Sequence, residues 1–192
     1  MATAKTITLF ILFVTTLSLT PLAADAFSFS FGISPHVAIK KTNDVTTKAQ
    51  AGITANTSFS VGMHENYFIE LRGRYLYYRA SSPGEDWILY RSFSALGASI
   101  GGGIFLPDYK VFSEFSVTPS VTLRGHGNFA SYSHTEIYFF YPSLQIEPGF
   151  TFARYYDDQL QLKLSIPVEW SFQRDLDLFV SGGLSFTISL HF

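Results

Sequence analysis

The chain contains no cysteine, which excludes disulfides, thiolate metal sites and a lipid-modified N-terminal cysteine. Charge is scarce too: Asp, Glu, Lys and Arg make up 15 % of the 192 residues. The formal net charge is −2, so there is no basic footprint for nucleic acid. Also missing is an apolar run of the roughly 20 residues that a membrane-spanning helix needs. His36, His126, His134 and His191 lie on different elements and none shows metal-ligand spacing such as HExxH, so no metal and no cofactor is expected. Gly101-Gly102-Gly103 resembles a phosphate-cradling loop only superficially, because no Lys follows and no helix opens after it. A thin wall against which a neighbouring side chain packs closely is the other reading of those glycines.

Aromatic residues are plentiful, at 17 %. They fall into a repeating alternation, clearest at the end of the chain. From Leu176 to Phe192 the residues Leu178, Val180, Leu184, Phe186, Ile188, Leu190 and Phe192 alternate with Asp177, Ser181, Ser185, Thr187, Ser189 and His191. A period of two puts these sets on opposite faces of a strand. The same pattern defines strands at Phe27–Lys40, Gln50–Met63, Tyr67–Tyr78, Trp87–Phe105, Tyr109–Arg124, Ile137–Ala153 and Gln159–Phe172. Every strand carries an oily face and none has a second layer to bury it, so lipid is the medium those faces must meet. Strands cross a bilayer only as a closed barrel with no unpaired edge. The expected fold is all-β, an eight-stranded antiparallel up-and-down transmembrane β-barrel.

Two features complicate the strand pattern. Apolar parity changes within Trp87–Phe105, which a bulge near Phe93 to Gly97 would repair. Pro35, Pro119, Pro142, Pro148 and Pro167 cannot donate to a ladder, so gaps are expected near them. Before the barrel, residues 1–26 carry the basic Lys5, an apolar run from Ile7 to Leu19, Pro21 and the small-residue site Ala24-Asp25-Ala26. They read as a secretory signal peptide, with a membrane anchor as the rival, and residues 27–192 as the barrel. Cleavage removes Lys5 and Asp25, one charge of each sign, and the formal −2 is kept.

Chemistry is expected inside the barrel or in its connections. The inward set is Glu70, Arg72, Arg74, Glu114, Glu147, Lys163 and Glu169, with Arg72, Glu114, Glu147 and Lys163 in the half nearer the short turns. Acids and bases in so narrow a space should pair, because an isolated buried ion costs several kcal/mol. The result is either a salt-bridged plug or a gated path for ions or protons. For Arg72 the expected partner is Glu114, then Glu147. The longest polar connection, Gly125–Glu136, offers His126, Asn128, Phe129, Tyr132 and His134 as a candidate recognition loop, against the alternative of a solvated loop with no partner. A hydrolase pair of histidine and serine is conceivable there, but no G-x-S-x-G element accompanies it, and no catalytic residue is assigned.

The terminal Phe192, with apolar residues two, four and six places before it, resembles the C-terminal strand signature of bacterial outer-membrane barrels. That resemblance implies recognition of Phe192 by the barrel-assembly machinery after escort by periplasmic chaperones. The whole of residues 27–192 is similar in architecture to small outer-membrane proteins of the OmpA-barrel, OmpX and OmpW kind. Such barrels alternate long external loops with short periplasmic turns, which implies periplasmic termini. It also implies aromatic girdles, with Tyr67, Tyr109, Phe152 and Phe192 towards the periplasm and Tyr75, Tyr77, Trp87, Tyr138 and Trp170 towards the outside. No periplasmic domain is expected after the barrel and no amphipathic helix of the lipid A palmitoyltransferase kind before it, and no His-x-Ser-Asn stretch matches the lipid A deacylases. The implied function is non-enzymatic, with the protein anchored in outer-membrane lipid and its loops available to an extracellular ligand. An OmpW-like conduit for small hydrophobic solutes is the alternative, and a lipid-modifying enzyme a distant third.

Overall fold

Alternation governs the fold from Phe27 onward. Ser28, Ser30, Ser34, His36 and Ala38 are buried, while Phe27, Phe29, Phe31, Ile33, Val37 and Ile39 stand exposed. The computed structural model describes residues 27–40, 48–64, 66–79, 92–112, 115–132, 138–155, 159–173 and 176–192. Residues 1–26, with the expected signal peptide, lie outside that set, as do Trp87, Glu114 and His134.

All regular structure among the described residues is strand: β1 Phe27–Lys40, β2 Lys48–His64, β3 Tyr67–Tyr78, β4 Phe93–Phe105, β5 Tyr109–Phe112, β6 Phe115–Tyr132, β7 Tyr138–Tyr155, β8 Leu160–Ser165, β9 Val168–Gln173, β10 Leu176–Gly183 and β11 Ser185–His191. They form an antiparallel ring of eight staves. β1, β2, β3, β4, β6 and β7 are one stave each, β8 with β9 makes the seventh, and β10 with β11 makes the eighth and pairs with β1. At the seam the Phe192 amide donates to Phe27 O at 2.9 Å and the Phe27 amide to Phe192 O at 3.3 Å. Closure removes the sheet edges. The outer wall remains oily, with Phe31 57 %, Leu96 67 % and Phe129 70 % exposed. An apolar surface wrapping the whole ring far exceeds the patches that soluble monomers leave in water.

Three features differ from those expected. No bulge interrupts β4, whose register runs unbroken from Tyr78↔Phe93 to Tyr67↔Ile104. Leu96, Ala98, Ile100 and Ile104 all face outward along that unbroken register, while Trp87 and Leu89 lie outside the described residues. Tyr109–Phe112 is not the start of the fifth stave but folds back on it, pairing Tyr109 with Val117 and Lys110 with Ser116. The stave itself runs on to Tyr132, so most of the expected loop Gly125–Glu136 is strand, paired with β4 and β7 on either side.

Pro35, Pro148 and Pro167 interrupt the ladder without ending any stave, whereas the β6–β7 register runs unbroken past Pro119 and Pro142, where gaps were also expected. Ile166 N donates to Pro148 O at 2.9 Å, Gly183 N to Pro167 O at 3.2 Å and Leu184 N to Pro35 O at 3.1 Å. The register places these three contacts side by side, where β8 gives way to β9 and β10 to β11. A proline has no N–H to return, so one transverse line of weakened pairing crosses the sixth, seventh, eighth and first staves.

Candidate functional site: the ion-paired lumen

The inward side chains lie in layers along the barrel. Farthest from the termini is a small apolar cluster of Ala38, Leu76, Tyr78, Ala95, Ala130 and Tyr141. His36 stands beside it, its ring edge-on to Tyr78 at 4.8 Å and its Nδ1 3.0 Å from Ser34 O.

The next layer is built on Arg74. Its Nη1 and Nη2 donate to Glu169 Oε2 and Oε1, each at 2.6 Å, a two-pronged bond that matches a planar guanidinium to a planar carboxylate. Nε and Nη2 also donate to Asn128 Oδ1 at 3.0 and 2.8 Å, and Nη2 to Ser143 Oγ at 3.1 Å. Asn128 Nδ2 then donates to Ser143 Oγ at 3.1 Å and to Tyr141 O at 3.2 Å, so the amide bridges β6 to β7.

One layer nearer the termini, Arg124 joins two carboxylates. It donates to Glu70 Oε2 at 2.8 Å and Oε1 at 3.2 Å, and to Glu147 Oε2 at 2.6 Å. Arg72 reaches the same acids, Glu70 Oε1 at 2.6 Å and Glu147 Oε2 at 3.3 Å. Ser165 Oγ donates to Glu147 Oε1 at 2.8 Å, and Lys163 Nζ stands 3.7 Å from that oxygen. Arg124 and Glu147 are each 1 % exposed. Charges so deeply buried persist only when paired and hydrogen-bonded.

β4 makes room for these long side chains. A Cβ on Gly101 would stand 2.5 Å from Arg124 Cγ and from Leu123 O, and one on Gly97 would meet Asn128 Oδ1 and the Arg74 side chain. The glycine run therefore acts as a thin wall against which an arginine lies flat, one of the two readings its sequence allows.

The structure brings six of the expected inward charges together: Glu70, Arg72, Arg74, Glu147, Lys163 and Glu169. Arg72 meets Glu147, its second expected partner, while Glu114 lies outside the described residues. Sequence reasoning missed Arg124 as a member, although its parity with Thr118, Ser120 and Thr122 marks it as inward. His126 and Asn128 continue that parity and are buried in the lumen, so they do not belong to a recognition loop; His126 Nε2 donates to Gln145 Oε1 at 3.2 Å. Phe129 points outward and packs on Phe140 with ring centroids 5.1 Å apart. Tyr132 is the last residue of β6.

Of the expected girdle residues, Tyr67, Tyr109 and Phe192 are exposed and Phe152 half-buried near the end holding the termini. Tyr75, Tyr77 and Tyr138 are exposed and Trp170 half-buried on the other half of the barrel. A second polar contact was not foreseen. In the turn after β4, Asp108 accepts from Thr118 Oγ1 at 2.5 Å and from Arg154 Nη2 at 3.3 Å, and Arg154 also donates to Thr118. It ties that turn to β6 and β7.

The ring size, the oily wall and the polar, ion-paired interior define the fold of the small eight-stranded outer-membrane β-barrels. Neisserial surface protein A (NspA) is similar over 86 % of this chain and 97 % of its own, with a TM-score of 0.65 at 14 % identity. The outer membrane protein AlkL, solved by solid-state NMR in lipid bilayers, is similar over 87 % of this chain and 90 % of its own, with a TM-score of 0.50 at 9 % identity. No protein-family model matches the sequence, and no curated protein matches it.

Proposed function

We propose that this chain is a non-enzymatic integral protein of the bacterial outer membrane whose lumen is closed and whose specific interactions are made by the connections between staves. The observation that carries this reading is the layered lumen. Two planes of buried ion pairs and an apolar cluster follow one another along the axis, and the cavity around Arg74 and Glu169 has a volume of about 20 Å³, room for about one water. A hydrated ion would have to break several charge-assisted hydrogen bonds to pass. Rigid walls and a filled interior leave the connections as the part free to vary with a partner. Those at the end opposite the termini comprise residues 41–47, 80–91, 133–137 and 174–175, all outside the described set.

In this reading residues 1–26 are a cleaved signal peptide and the termini face the periplasm. Outer-membrane lipid surrounds the wall between the two sets of aromatic residues, and chaperones and the barrel-assembly machinery deliver the chain through its terminal Phe192. An extracellular ligand is the expected partner of the outer connections. The closed lumen is tested in planar bilayers: purified, refolded protein should give no stepwise conductance, and reproducible single-channel openings would replace this function with that of a channel. Loop recognition is tested by exchanging residues 80–91 for a short Gly-Asn turn, which should leave the barrel folded and remove whatever surface binding the intact protein shows.

A second reading, a conduit for small hydrophobic solutes, finds support in the transverse line through Pro148, Pro167 and Pro35. Staves parting there would open a sideways route from lumen to lipid. Solute uptake by cells that depends on this protein, and that stops when staves seven and eight are cross-linked, would favour it.

A further inference from the structure

The end of the lumen nearest the termini is not filled. A cavity of about 110 Å³ lies there, floored by Arg72, Arg124 and Lys163 with the carboxylates Glu70 and Glu147 among them, and walled by serines of β1 and β2. Among the described residues its charges do not balance. Three cations, Arg72, Arg124 and Lys163, share two carboxylates, Glu70 and Glu147. The arginines occupy both oxygens of Glu70 and Oε2 of Glu147, and Ser165 takes Glu147 Oε1. Lys163 is left 3.7 Å from that last oxygen, too far for a hydrogen bond. Thr187 also lines the cavity, and its Oγ1 is buried without a hydrogen-bond partner among the described residues.

We propose that this cavity binds one small oxyanion, held by the Lys163 ammonium and the Thr187 hydroxyl with the Arg72 and Arg124 guanidinium groups behind them. The chemistry is that of phosphate-like anions: among the described residues the site has one excess positive charge, an ammonium with an ion pair but no hydrogen bond, and an unused hydroxyl donor. An anion neutralises the excess charge where the wall excludes most water, and it satisfies both donors together. The space suits a group of a few heavy atoms. Ser28 and Ser60 Oγ, 2.5 Å apart, and Ser30 Oγ, which donates to Ser189 Oγ at 2.8 Å, are engaged with each other and form a polar entrance. This inference goes beyond the closed-lumen reading, because an anion bound at one end neither requires nor creates a path through the layers above it.

The test uses the full barrel refolded in a neutral detergent, with inorganic phosphate as the probe. Urea unfolding is followed at fixed ionic strength while phosphate replaces gluconate, an anion too large for the cavity. A ligand that binds only the folded state raises stability with the logarithm of its concentration once the site begins to fill. The wild type should show a saturable rise in the urea midpoint. Lys163→Gln should abolish that rise, and Thr187→Val, which keeps every charge, should raise the half-saturating phosphate concentration about tenfold, the equivalent of one hydrogen bond. If Lys163→Gln does not fold, Thr187→Val decides alone. No rise in the wild type, or the same rise in wild type and variants, overturns the proposal; the second result marks a general salt effect.

Discussion

Arg74 and Glu169 are 95 residues apart in sequence, yet their side chains meet across the lumen through two bonds of 2.6 Å. They stand on β3 and β9, separated around the ring by β4, β6 and β7. The pair is therefore a product of closure, and it holds the two sides of the barrel at a set distance. Removing one partner strands the other, so Arg74→Ala should cost about 3–5 kcal/mol, and Arg74→Ala with Glu169→Gln should cost less than the two single changes added together. Urea unfolding of the four proteins in detergent measures the coupling; strictly additive losses would show that the contact contributes nothing.

Arg124 and Arg72 touch the same two acids but not equally. Arg124 makes a two-pronged contact with Glu70 and a 2.6 Å bond to Glu147, whereas Arg72 has a single bond to Glu70 and a longer one of 3.3 Å to Glu147. Arg124→Ala should therefore destabilise the barrel more than Arg72→Ala, by roughly 1.5–3 kcal/mol, the value of a charge-assisted hydrogen bond. Equilibrium unfolding checks the order, and an Arg72→Ala loss as large as that of Arg124→Ala would contradict it.

Glycine substitution separates the thin wall from its surroundings. Gly101→Ala drives a methyl into Arg124 Cγ and the carbonyl of Leu123 and should cost about 1–3 kcal/mol, the usual range for overpacking. At Gly125, on the lipid-facing side, a Cβ meets nothing within 4 Å, and Gly125→Ala should stay within about 0.5 kcal/mol of wild type. Equal effects at the two positions would remove the thin-wall account of the glycine run.

Phe192 closes the ring through its backbone bonds to Phe27, and in the function proposed above it is also the assembly signal. Deleting it should lower the fraction of folded, heat-modifiable protein in cells without changing synthesis. Refolding the purified deletion variant into detergent separates the two roles. Near-normal yield there, against a poor yield in cells, assigns the defect to assembly; a poor yield in both assigns it to the lost closure.

The faces of the staves were legible in the sequence because period-two alternation needs no knowledge of neighbours: Ser28 to Ala38, Arg72, Arg74, Lys163 and Glu169 all lie on the side it indicates. The long polar stretch from Gly125 was misread for a physical reason. In a barrel the inward face is itself polar, so His126 and Asn128 look like loop residues whether they face water or the ion-paired lumen, and only their pairing with Ser99, Ser143, Gly97 and Tyr141 distinguishes the two. Which acid meets which base was beyond the sequence altogether. Alternation puts a charge inside but says nothing of its height or bearing. Those follow from the stagger of the staves on closure, which brings Arg74 to Glu169 and leaves Lys163 facing a cavity.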